Sequence, residues 1–138
     1  MEGGDDPFET TFGIDFQLSV PAYWYSPNGS SLEDLYDIVV GYDPAWSGCD
    51  ITILMTGQPT GNPVGLGQRP GNHFVMHTNT PPLPNVFQHE ASHNFNATDH
   101  PDPWDFTDCV MCYNKMLYTR NWCNSHTTVI NDNKFRFD

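Results

Sequence analysis

The chain has 138 residues, the length of one compact domain, and its 38% hydrophobic content, with 9 Phe, 6 Tyr and 4 Trp, is enough for one real core. Asp and Glu number 17 against 5 Lys and Arg, a net charge of -12, which argues against nucleic acid and anionic membrane as partners because both need clustered basic residues. No apolar run is long enough to cross a bilayer and no cationic start precedes an apolar stretch, so membrane insertion is not expected.

In chain order, residues 1–12 read as a loose, flexible acidic lead-in to a single domain spanning 1–138. Gly13 to Val20 alternates polar with apolar residues, the period of a half-buried strand. Ser26-Pro27-Asn28-Gly29-Ser30 is a turn. Ser30 or Ser31 can cap a helix from Leu32 to Val40, where Leu32, Leu35, Tyr36 and Val39 recur at helical spacing. Asp50 to Gly57 predicts a buried strand, and Val64-Gly65-Leu66-Gly67, Gly-flanked and preceded by Pro63, suits a sheet edge. His73 to His77 predicts another strand, with its histidines on one face in packed or surface positions. After the Pro-rich break at Pro81, Pro82 and Pro84, Asn85 is placed to cap a helix from about Val86 to Asn94. A last helical stretch is expected from Asn114 to about Trp122 or beyond. Strands followed by the motif helix and a loop-rich end make a mixed α/β (α+β) domain.

The informative segment is His89-Glu90-Ala91-Ser92-His93. Residues four apart on a helix share a face, so both imidazoles aim at one spot and can chelate a metal ion such as Zn²⁺. Glu90, beside the first ligand, is placed to take a proton from water as general base. A catalytic zinc needs a third protein ligand, and no Glu follows Glu90, so that ligand is an Asp, His or Cys.

Here the sequence resembles the metzincin zinc peptidases, with their HExxHxxGxxH or, in the snapalysin-like branch, HExxHxxGxxD pattern. That register puts the third ligand on Asp99, with His100 one residue later as the alternative. The family's glycine, where the helix breaks with positive φ, falls on Asn96, the residue that best tolerates that conformation after Gly. Cys109-Val110-Met111-Cys112-Tyr113 resembles the family's Met-turn in adamalysin-like and archaemetzincin-like members. By that resemblance Met111 is an apolar floor beneath the metal, and Tyr113 stabilises the oxyanion as it does in astacin-like and serralysin-like members. Gly65, Leu66 and Gly67 would be the edge strand to which a peptide substrate adds main chain to main chain. The family's first strand and long first helix find no counterpart.

The resemblance implies a zinc-dependent metalloendopeptidase, a hydrolase acting on peptide or protein substrates, with one catalytic zinc. A structural calcium or a second zinc would be a further cofactor. The rival from another class is a non-catalytic, metal-stabilised binding domain on the same scaffold, against which the intact Glu90 speaks. A zinc amidase acting on a non-protein amide would use the same residues.

Cys49, Cys109, Cys112 and Cys123 permit two disulfides. Cysteine usage, many Asn and few Lys suit a secreted, extracellular protein. A disulfide from the Met-turn to Cys123 is the expectation. The alternative is a metal site from Cys109 or Cys112, Cys123, His126 and His100, since Cys123-Asn124-Ser125-His126 has ligand spacing. Archaemetzincin-like members carry a second, structural zinc in this region, but on cysteines and at a different spacing. Asn28-Gly29-Ser30 is an acceptable glycosylation sequon; Asn96-Ala97-Thr98 also matches, but a glycan there would block the site.

Overall fold

The computed structural model describes residues 3–17, 23–42, 48–58, 63–79, 82–102 and 107–137. Its described elements are α1 (Asp6–Phe12), α2 (Leu32–Tyr42), β1 (Thr52–Thr56), β2 (Gly65–Gly67), β3 (His73–His77), α3 (Leu83–Asn94) and α4 (Asn124–Asn133). The fold is a mixed α/β arrangement around a three-stranded sheet of order β1-β3-β2. β1 runs parallel to β3, pairing Leu54 with Val75, while β2 runs antiparallel to it, pairing Leu66 with Val75.

Successive side chains on a strand point to opposite faces, and β3 uses both. Val75 and Leu54 of β1 bury one face against Leu32, Leu35 and Val39 of α2. Phe74 and Met76 face the other way, into a larger core with Val86, Phe87 and Ala91 of α3. A strand covered on both sides is buried along its whole length, as all five β3 residues are. Helix α2 starts where serine capping places it. Ser31 Oγ accepts from the Asp34 N–H at 3.1 Å, and Asp34 accepts in return from the Ser31 N–H at 2.9 Å, a reciprocal cap.

Three expectations are corrected. Residues 1–12 are not wholly a loose lead-in, because α1 packs Phe8 and Phe12 against Trp122, Phe8 also meeting Phe95 and Phe16. Two aromatics four residues apart gain more from burial than a polar heptapeptide would suggest. The alternation from Gly13 does not become a strand over 13–17. Ile14 and Phe16 turn into the core, and among the described residues no strand pairs with theirs; residues 18–20 fall outside the described residues. The C-terminal helix is displaced from 114–122. That stretch holds turns in which Lys115 and Met116 N–H groups bond to the Cys112 carbonyl, and the helix forms instead over Asn124–Asn133, burying His126 and Ile130 at i, i+4.

Helix α3 begins at Leu83, earlier than Asn85. Asn85 lies inside it and donates through Nδ2 to the Met116 and Thr119 carbonyls at 3.0 and 2.9 Å. Every residue from Asn85 to Asn94 is buried although seven of the ten are polar. A buried polar group costs free energy unless bonded; α3 meets that demand for its side-chain donors on several sides, although Gln88 Oε1 and Asn94 Oδ1 have no hydrogen-bond partner among the described residues. Gln88 donates to the Arg120 carbonyl, Ser92 accepts from the Trp122 indole, and Asn94 donates to the Gln68 and His73 carbonyls. The motif helix is thus clamped between the sheet and the C-terminal segment.

Candidate metal centre

The end of α3 decides where the third group falls. Asn96 has φ 70°, the one described non-glycine residue with positive φ. Its N–H bonds to the His93 carbonyl at 2.9 Å and the Ala97 N–H to the Ser92 carbonyl at 3.1 Å, the paired bonds of a Schellman cap. The left-handed residue turns the chain back across the helix end. Ala97 then presents its carbonyl to His93 Nδ1 at 2.8 Å, and Asp99 reaches the histidine pair.

His89 Nε2 lies 3.3 Å from His93 Nε2 and 3.2 Å from Asp99 Oδ1, and His93 Nε2 lies 3.7 Å from the same oxygen. His89 Nδ1 is 2.9 Å from the Val110 carbonyl. Because a carbonyl can only accept, each Nδ1 carries its proton and donates it. Both Nε2 atoms of the neutral rings are then lone-pair acceptors. Three acceptors converging to within 3.7 Å of one another repel unless a cation lies among them. That cation is either a proton or a metal ion, and His89, His93 and Asp99 form a group that could hold the latter.

The metal-free electrostatics show what a proton does there. Burial opposes charge on His89, but the bond to Asp99, the Glu90 charge and the Val110 carbonyl outweigh it and hold its pKa up to about 9. Burial and the charge of His89 lower His93. The His89 hydrogen bond holds Asp99 below the usual carboxylate range. Burial raises Glu90 to about 7, against the pull of His89 and the Gly67 backbone N–H. The two imidazoles are buried, whereas the Asp99 side chain is 65% exposed, so the group is open to solvent on one side.

Glu90 sits against the edge strand. A Cβ added at Gly65 would lie 2.3 Å from Glu90 Oε1, and one at Gly67 would lie 2.6 Å from the Glu90 carbonyl and 2.9 Å from His93 Cβ. Only glycine lets β2 approach the motif helix this closely. Residues 64 and 68 exchange ladder bonds with His77 and His73. In an antiparallel pair the intervening Gly65 and Gly67 therefore direct their amides and carbonyls off the sheet edge.

Met111 is fully buried in a turn closed by the Cys112 N–H on the Cys109 carbonyl. The turn supplies the Val110 carbonyl to His89 and the Met111 carbonyl to the His100 N–H at 3.0 Å. His100 itself turns away from the histidine pair into a second group with Cys109, Cys123 and His126. Tyr113 is exposed, and none of the described hydrogen bonds joins it to the cluster. His73 and His77 are buried on β3, where Nδ1 of each meets Gln68 Oε1 and the Asn79 N–H respectively. No disulfide joins the four cysteines, which corrects the expected link from the Met-turn to Cys123. Sequence reasoning missed the two orienting carbonyls of Ala97 and Val110, because a backbone acceptor leaves no mark on residue type. No protein-family model matches the chain, and no curated protein is significantly similar to it.

Proposed function

We propose that the chain is a zinc-dependent endopeptidase, with His89, His93 and Asp99 as metal ligands and Glu90 as general base. The observation that carries this reading is the convergence of two Nε2 lone pairs and a carboxylate oxygen, with both Nδ1 protons already committed to carbonyls. Zinc bonds of ~2.0–2.1 Å in tetrahedral geometry separate ligand atoms by about 3.3–3.4 Å, and the three separations here are 3.3, 3.2 and 3.7 Å. Carbonyls holding the far ring nitrogens are the usual outer partners of metal-bound histidine. Three protein ligands with one side open to solvent suit a catalytic rather than a closed structural ion.

When bound, zinc supplies Lewis acidity that polarises a carbonyl and brings a water's pKa down towards neutrality. Glu90, buried beside the first histidine and against the β2 edge, would take a proton from the attacking water and return it to the leaving amine. The Gly67 amide is held by Glu90, and the outward-facing Gly65 amide and carbonyl with the Gly67 carbonyl would align an extended peptide along β2, next to Glu90. Met111, fully buried in its turn, would be the apolar floor beneath the pair.

Zinc content and hydrolysis of a broad quenched-peptide library, for wild type and Glu90→Ala, test this. One zinc at the His89 cluster, with cleavage lost in the variant while the metal is retained, is expected. A wild-type protein that binds no zinc, or binds it without cleaving any peptide, refutes the assignment.

A further inference from the structure

The second group of ligand-bearing side chains lies on the far side of the Asp99-His100 step. His100 Nε2 is 3.7 Å from Cys123 Sγ, and His126 Nδ1 is 3.1 Å from Cys123 Sγ and 3.3 Å from Cys109 Sγ. All four ligand atoms lie within 4.8 Å of one another. Tetrahedral zinc with bonds of ~2.3 Å to sulfur and ~2.0–2.1 Å to nitrogen sets sulfur and nitrogen about 3.5 Å apart, within the range of these three distances. The set is two soft thiolates and two imidazoles, which selects zinc among common divalent ions.

The local chain is built for such a site. Cys123 is the N-cap of α4 and His126 lies in its first turn, so a three-residue step presents both from one helix end. The Cys123 N–H donates to Cys109 Sγ at 3.3 Å, and Ser125 Oγ lies 3.1 Å from Cys123 Sγ. Cys109 and His126 are buried. With four protein ligands the group leaves no position for substrate, in contrast to the His89 cluster.

We propose that His100, Cys109, Cys123 and His126 hold a second zinc ion in a closed site that positions the fittings of the first cluster. Its ligands are the immediate neighbours of those fittings: His100 follows Asp99, and Cys109 precedes Val110, whose carbonyl orients His89. Among the described residues between α3 and α4 there is neither helix nor strand. A bound ion there cross-links the Asp99 segment, the Met111 turn and α4, tying down parts of the chain that have no ladder of their own. The effect on Asp99 and Val110 rests on reading the first cluster as a metal site, whereas the second site stands on its own geometry.

The test is titration of the full, reduced, metal-free chain with Co²⁺, read by thiolate-to-cobalt charge-transfer absorption, together with zinc counting by native mass spectrometry. Wild type should take two ions and show the thiolate band. His89→Ala/His93→Ala should take one ion and keep the band. His126→Ala should lose the band, and its remaining zinc should bind about 10–100-fold more weakly than in wild type. A reduced, natively folded wild type without the band overturns the second site, and so does a Cys109–Cys123 disulfide in a protein that takes up no metal after reduction. A single ion that carries the band and is unaffected by His89→Ala/His93→Ala upholds the second site and sinks the first. Equal first-site affinity in His126→Ala and wild type overturns the positioning role.

Discussion

Replacing Gly65 by alanine should separate metal binding from catalysis. The added Cβ would lie 2.3 Å from Glu90 Oε1 and 2.6 Å from its Cδ and Cγ, where ordinary contact begins at 3.4 Å. The carboxyl must therefore retreat by about 1 Å, and a displacement of that size at a reacting group costs roughly 10²-fold in rate. Glu90 is not among the grouped ligand residues, so zinc content should stay at the wild-type value. The assay is kcat/KM on the best-cleaved library peptide, with metal content and the thermal midpoint measured on the same preparation. About a hundredfold loss of kcat/KM at full zinc occupancy is expected. A folded, zinc-loaded Gly65→Ala protein with wild-type kcat/KM would refute the idea that β2 seats the base. Gly67→Ala makes the contrast, because its Cβ meets the Glu90 backbone carbonyl at 2.6 Å. A helix backbone cannot swing aside as a side chain can. That variant should lose about 1–3 kcal/mol of stability by overpacking, visible as a lower urea midpoint.

Three further outcomes follow from the same geometry. Asn96→Ala should destabilise the fold by roughly 1–2 kcal/mol, since φ 70° suits Asn or Gly and strains alanine; thermal denaturation checks it, with Asn96→Gly expected to match wild type. Phe8→Ala removes a fully buried ring from α1 and should cost about 3–5 kcal/mol in chemical denaturation; a neutral result would return residues 6–12 to the status of a loose lead-in. First-site zinc affinity should rise about tenfold per pH unit between pH 7 and 9 and then level off. The sign follows from His89, whose pKa of about 9 means that an entering ion displaces one proton below that pH. Asp99 and His93, both shifted down, have already lost theirs. Chelator competition across that range, read on the His126→Ala protein, would contradict this if affinity were flat.

How far the sequence reached depends on how local each determinant is. The serine cap before α2, the buried apolar run of β1, the interleaved apolar residues of β3 and the turn at Gly29 are set by neighbours in the chain, and they were legible there. So was the i, i+4 pairing of His89 with His93, because helical periodicity alone puts them on one face. The positive φ at Asn96 was expected through the resemblance, whose helix-ending glycine falls there, and Asn tolerates the left-handed region that the helix end requires. Helix α1 escaped notice because a seven-residue helix owes its existence to Trp122 and Phe95, over 80 residues away. The C-terminal helix was misplaced because nothing local distinguishes the turns at 112–119 from a helical start.

The resemblance pointed to Asp99 ahead of His100, but which of the two meets the histidine pair is a matter of packing. Asp99 joins the His89–His93 group and His100 the Cys109–Cys123–His126 group, and only the packing of the Met111 turn and α4 fixes which goes where. The glycines of β2 carried a similar ambiguity. Their spacing marked an edge strand, but their close seat under Glu90 and His93 appears only when α3 is laid across the sheet. Residue types and periodicity thus determined which groups could do chemistry. Tertiary contacts decided which of them meet, because convergence of side chains from separate segments is a property of packing rather than of local pattern.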